Sequence, residues 1–296
     1  ASRLPVQVLM QPRDYINSHQ LLVAFALLGL GVIIAQPEIV APMYQASPEG
    51  APPIWPFLFV VIACGAISGF HSLVSSGTSS KQCYNEDDAR YIGYGAMLLE
   101  GSLSTFVIVA CVAGIGIGLT VEGETFLGAA AFTHHYSSWA AASGLGAKIG
   151  AFVEGAANMI GSYGIPQNIT ITIMGVFLVS FAATTLDTAT RLQRYIVGEL
   201  GRAIKVPQIG GPTTATLIAV ITAFILAFYN GSGKGALTLW PLFGAANQLL
   251  AGLALLVATI YLVRKNIPSF YAAIPMVFMI IMTGWAMLLN IQNFYN

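Results

Sequence analysis

The stretch ACGAISGFHSLVSSGTSSKQ, residues 63–82, decides how the chain is read. It prolongs an uncharged apolar run that starts at Trp55. It then places Ser68, Gly69, His71, Ser72, Ser75, Ser76, Gly77, Thr78, Ser79 and Ser80 within thirteen positions. Counted inward from Pro56 at ~1.5 Å per helical residue, Ser68 lies ~18 Å deep, near the midplane of a bilayer. Backbone that leaves helical form at that depth must be shielded by protein or line a watery cavity. Transporters build solute sites from such interrupted helices, whose half-helix ends aim backbone dipoles at ions or anionic groups. The same residues also fit a glycine-kinked helix whose serines bond back to their own carbonyls. The crowding of small and polar residues, with His71 among them, favours the break. It makes Ser68, Gly69, Phe70, His71, Ser75, Ser76 and Thr78 candidate solute-binding residues.

Composition supports the membrane setting. The chain is 56% hydrophobic and 8% charged, with mean hydropathy +0.75, whereas soluble domains carry roughly a quarter charged residues. Twelve basic and twelve acidic residues cancel, and no basic tract points to a nucleic-acid partner. The three cysteines are scattered, at 64, 83 and 111, which gives neither a disulfide framework nor a metal spacing. Nothing resembles a P-loop, a nucleophile elbow or a metalloprotease helix, so no enzyme and no organic cofactor is expected. The opening ASRLPVQVLMQPRDYINS reads as a loop entering a helix, and the chain is expected to be a transmembrane piece of a longer protein.

Seven apolar segments are candidate spans: 20–36, 55–76, 92–118, 168–188, 213–229, 238–262 and 270–291. Proline, glycine and charge clusters separate them. If the odd-numbered spans run outward, one side holds Arg3, Arg13, Lys81, Arg90, Arg191, Arg194, Arg202, Lys205, Arg264 and Lys265, and the other only Lys148 and Lys234. Ten against two predicts a cytoplasmic amino end and an extracytoplasmic carboxyl end. The segment 119–167 is then a long extracytoplasmic loop, expected to hold a short helix within SSWAAASGLGAKIGAFVEGAANMIG. His134 and His135 precede it, without a third ligand at metal spacing.

Three further polar intrusions stand in apolar surroundings. Thr184, Thr185 and Asp187, in ATTLDTATRLQRY, offer hydroxyls and a carboxylate to a sodium ion or a proton. The spacing also allows helix–helix hydrogen bonds, with Asp187 paired to Arg191 at i,i+4. Glu100 lies ~14 Å into its span, an ionisable group suited to coupling or to paired packing. Asn247 and Gln248 follow a Trp-Pro pair in LWPLFGAANQLLAG and read as a second wall of the solute cavity, or as helix-gluing amides.

The long motifs ACGAISGFHSLVSSGTSSKQ, QPRDYINS, DARYIGYGAMLLEG, TTLDTATRLQRY and LWPLFGAANQLLAGLAL together resemble the carbon starvation protein A family of bacterial inner-membrane transporters. The resemblance runs through nearly the whole chain and corresponds to the carboxyl-terminal half of longer members. It implies uptake of peptides, or of a related solute such as pyruvate, during carbon starvation. The partners it implies are the lipid bilayer, a small-molecule or peptide solute, and amino-terminal helices of the same protein. It also implies the LeuT-type inverted-repeat fold, with the seven spans as that fold's fifth to eleventh helices. In that register the stretch at 63–82 falls on the interrupted sixth helix, and ATTLD on the eighth, which supplies hydroxyls to a sodium site in many relatives. The expected fold is an all-α polytopic membrane protein, and the expected function is secondary transport coupled to sodium or protons. A membrane sensor or channel-like subunit is the alternative.

Overall fold

The computed structural model describes residues 4, 6–45, 48–206 and 208–295. Arg3, counted above among the inner-side charges, lies outside them. Helix dominates, because apolar runs away from water must satisfy their backbone groups within the segment. Among the described residues, six stretches are long and apolar enough to cross a membrane: Val8–Ala35, Ile54–Lys81, Asp88–Ile117, Gln167–Ala203, Gly235–Arg264 and Phe270–Asn293. The seventh expected span is helix α9, Pro212–Phe228, which at 17 residues falls short of that length. Pro212 starts it, and a turn in which the Gly231 N–H donates to the Phe228 carbonyl ends it.

The chain forms two compact units. The first contains α1 (Val6–Ala35), α4 (Asp88–Val112), the hairpin β1–β2 (Leu119–Val121, Glu124–Phe126), α5 (Ala129–His135), α6 (Trp139–Ser143) and α7 (Leu145–Gly161). It ends with α8 (Gln167–Ala203) as far as Asp187. The second contains α2 (Phe59–Ala66), α3 (Gly69–Gly77), α8 from Thr188 onward, α9, α10 (Trp240–Arg264) and α11 (Phe270–Tyr295).

In the first unit, α1 begins fourteen residues before the expected start at 20 (20 − 6 = 14). The polar turns QPRDYIN stay helical because Arg13 and Asn17 find partners on α8. The segment 119–167 holds more than one short helix. A two-residue turn at Glu122 and Gly123, both with positive φ (51° and 89°), closes the small hairpin, the one pair of strands among the described residues. Three helices follow. The longest, α7, is buried along Ala151, Phe152 and Gly155–Ile160, and packs on α1 and α4. Alanine and glycine permit this: a side chain at Gly155 would run into the Ala110 backbone (carbonyl carbon 2.7 Å away) and the Ile115 nitrogen at 3.1 Å. With lipid as apolar as leucine, such close approach is what holds membrane helices together.

In the second unit, α10 and α11 lie antiparallel. Gly252 faces Ile280 and Met279, and the Asn290 amide reaches the Pro241 carbonyl at 3.5 Å. Val60 of α2 joins Ala245 and Ala286 in a small core at this junction.

Two outcomes follow for the first unit. Gly155→Val should lower stability by about 2–3 kcal/mol, read as loss of monodisperse protein and a reduced Tm in detergent. Burial raises the Glu154 carboxyl above its ordinary 4.5, with His135 pulling it partly back. Because the folded value is the higher one, this stabilisation is complete below about pH 4.5 and fades as pH rises through the folded value. Glu154→Gln should flatten that decline in a Tm-against-pH series.

Candidate functional site: a broken helix capped by an amide

Ile67 and Ser68 leave helical form, at φ −136°, ψ 79° and φ −96°, ψ 137°, which separates α2 from α3. The break is two residues wide, and Gly69–Gly77 is helix again, so the non-helical stretch is much shorter than the run of small residues suggested. Two oxygens converge on the first turn of α3: the Phe70 N–H donates to Ser68 Oγ at 3.1 Å and to Asn247 Oδ1 at 2.8 Å. The same Asn247 amide donates from Nδ2 to Ser68 Oγ at 2.8 Å and lies 3.1 Å from Cys64 Sγ, one turn before the break. Asn247 is buried on α10, so one side chain from another helix ties both edges of the interruption.

Gly69 makes this reach available. A Cβ there would meet the Asn247 carbonyl, the Leu250 Cβ at 2.6 Å and the Ala251 nitrogen at 2.9 Å. Only a residue without a side chain lets α3 lie this close to α10. Next to Asn247 on α10, the fully buried Gln248 donates to the Val60 carbonyl at 3.3 Å. Beside the break, Ala66, Ile67, Ser68, His71 and Ser72 on one wall and Ala251, Ala254 and Leu255 on the other line an open cleft of about 300 Å³. His71 is exposed over it.

The remaining expected solute residues stand differently. Ser75 and Ser76 are exposed and donate to the carbonyls of Ser72 and Leu73, as Ser72 does to Gly69. Thr78 caps the far end of α3 and is buried, its hydroxyl without a hydrogen-bond partner among the described residues. At that end the Lys81 ammonium lies 5.1 Å from the centre of the Tyr195 ring on α8, and Leu192 packs against Gly77.

The expected coupling residues belong to the first unit. Thr184 donates to the Ser180 carbonyl at 2.9 Å and accepts from the Asn17 amide, whose Oδ1 in turn accepts from Ser180 Oγ at 2.7 Å. Thr185 is exposed and donates to the Phe181 carbonyl. Asp187 pairs with Arg13, 2.9 Å from Nη1 to Oδ2, where the i,i+4 spacing had pointed to Arg191. Arg13 also holds Asp14 at 3.0 Å. Glu100 is exposed, midway along α4. Arg13, Asn17 and Ser180 are functional candidates that sequence reading missed. Their signal was present: 13 and 17, and 180, 184 and 187, repeat at helical spacing and so share faces. Among the described residues, no group of three or more His, Cys, Asp or Glu could hold a metal.

The sequence profile of the carbon starvation protein CstA family matches residues 1–286. The chain belongs to that family. Among curated proteins, this CstA-family chain is 31% identical to the peptide transporter CstA of Escherichia coli, over 96% of this chain and 47% of that protein. It is 30% identical to the peptide transporter CstA of Bacillus subtilis, over 100% and 53%. It is 28% identical to the pyruvate/proton symporter BtsT of Escherichia coli, over 96% and 48%. The chain thus spans about half the length of the curated relatives it matches. No solved structure matches it. Six apolar spans together with these transporter relatives make this a multi-pass membrane protein.

If Asn247 holds the break, Asn247→Ala leaves Ser68 Oγ without its donor and Phe70 N–H with one acceptor of two. A buried polar group stripped of its partner costs about 1–3 kcal/mol. Amide exchange at Phe70 should therefore accelerate roughly tenfold or more, while exchange in α1 and α7 stays unchanged.

Proposed function

We propose that this chain forms part of a proton-coupled secondary transporter of the bacterial inner membrane, which takes up a small carboxylate-bearing solute, a peptide or pyruvate, during carbon starvation. The observation that carries the reading is the amide-capped break with a cleft beside it. A half-helix that starts inside a membrane offers its positive end to an anion. His71 stands on the cleft wall one turn into α3 and can donate to the same anion. Peptides and pyruvate share a carboxylate, and the cleft is at the lower end of small-ligand volumes. His71 is the side chain proposed at the solute, beside the Gly69 end of α3, with Ser68, Phe70, Asn247 and Gln248 fixing the wall behind it. Proton rather than sodium coupling takes its support from the relative named as a pyruvate/proton symporter; His71, Glu100 and Asp187 are the titratable groups proposed to take part.

The same reading includes α9 as a seventh span, which a 17-residue helix can become by local thinning of the bilayer. It sets the amino end in the cytoplasm, the carboxyl end outside and the segment 119–167 on the outer face. In a LeuT-type arrangement α1 would be the fifth helix, α2 and α3 together the sixth, and α8 the eighth. A carrier differs from a sensor or channel-like subunit, and from an enzyme, by exchange.

In proteoliposomes, labelled pyruvate or a labelled dipeptide should accumulate transiently against its gradient when the unlabelled solute is inside. His71→Ala should raise KM for that solute roughly tenfold, the worth of one charge-assisted hydrogen bond. A protein that catalyses no counterflow of either solute is not a carrier for them.

A further inference from the structure

We infer that Arg13 is the built-in cation of the α1–α8 polar site, so that this site takes no sodium ion. Thr184, Thr185 and Asp187 would hold sodium only if their oxygens were free to converge on it. Thr184 already donates to the Ser180 carbonyl and accepts from Asn17, and Thr185 is exposed and bound to its own helix at Phe181. The one carboxylate, Asp187, has its side chain only 11% exposed and holds the Arg13 guanidinium at 2.9 Å. A sodium ion at the same carboxylate would sit against a fixed positive charge, and the oxygen donor set does not fit it.

The guanidinium suits this place better than an ammonium would. Its planar fork gives Nη1 to Asp187, and Nη2 and Nε to Asp14 Oδ1 at 3.0 and 3.3 Å, so one side chain serves two carboxylates. Asp14 is the more exposed of the two, at 43%, and water screens the charge it adds. One turn deeper, the neutral set of Asn17, Ser180 and Thr184 closes the site, and below it Ala24 and Leu28 meet Met174 and Phe177 in apolar packing. The polar seam at these turns is therefore paired from within the chain, a cation at the mouth and amide and hydroxyls behind it. One turn further along α1, Gln20 Oε1 is buried without a hydrogen-bond partner among the described residues, a single neutral oxygen that cannot by itself make a sodium shell.

This inference rests on the transporter reading for its bearing on coupling, but its test measures ion binding without transport, so either can fail alone. The purified chain in detergent is melted in NaCl and in choline chloride at equal ionic strength. Wild type should show the same Tm in both. Arg13→Gln, which leaves Asp187 uncompensated, should melt lower and gain a sodium-specific rise of roughly 3 °C at ~100 mM, as expected for a weak ligand of the folded state. The double variant Arg13→Gln/Asp187→Asn should recover most of the lost Tm and lose the sodium effect. Should Arg13→Gln fail to fold, Arg13→Lys serves in its place and should stay indifferent to sodium. A sodium-specific rise in wild type that Thr184→Ala removes would overturn the inference. So would an Arg13→Gln protein that folds and ignores sodium, or an Arg13→Lys protein that responds to it.

Discussion

The contact between Asn247 and the α2–α3 break is the constraint on which the second unit depends. Where Ile67 and Ser68 turn out of the helix, the first amides of α3 lose their intrahelical acceptors. Within hydrocarbon no water replaces them, and each orphan costs several kcal/mol. A carboxamide is the side chain that can give and accept at once without carrying a charge. Asn247 uses both halves: its oxygen takes the Phe70 N–H and its nitrogen serves Ser68 Oγ. The reach is short because Gly69 lets α3 lie against the α10 backbone. Break, amide and glycine are thus one device, and each would be a defect without the other two.

The first unit obeys the same rule with different chemistry. Its helices approach through small residues, Gly155 against Ala110 being the tightest place, and dispersion at that distance replaces the hydrophobic drive that lipid removes. Its polar groups are paired between α1 and α8 at successive turns: Arg13 with Asp187, then Asn17 with Ser180 and Thr184. Charge sits at the outermost of these turns and neutral amide and hydroxyl deeper, the order that desolvation cost dictates.

Much of this was legible in the residues. Length and hydropathy gave the apolar spans, since an uncharged run near twenty residues has few other homes. The break at Ser68 was marked by glycine, serine and histidine at a depth where they have no reason to gather. What the sequence hid was partnership. Asp187 has Arg191 at i+4, a pairing that local spacing allowed, but the ion pair is with Arg13, 174 residues away. Serines at 72, 75 and 76 looked alike, yet they bond back to their own helix, while Ser68 alone enters the capping set. The segment 119–167 was underestimated because alanine and glycine score weakly as a span; their small size is what buries α7.

The two polar sites divide the work that polar groups can do in a membrane protein. A cluster whose donors and acceptors are matched from within has nothing to offer a passing solute; it fixes two helices, as the Asn17–Ser180–Thr184 set does. A solute site needs the opposite, groups held in place by others but not consumed by them. At the break, Ser68 and Asn247 are spent on holding the geometry, while His71 is exposed on the wall of the cleft they keep open. In the transporter reading proposed above, the buried amide would therefore not compete with a solute. It sets the position of a half-helix end beside His71, and it is this end that the same reading assigns to an anion.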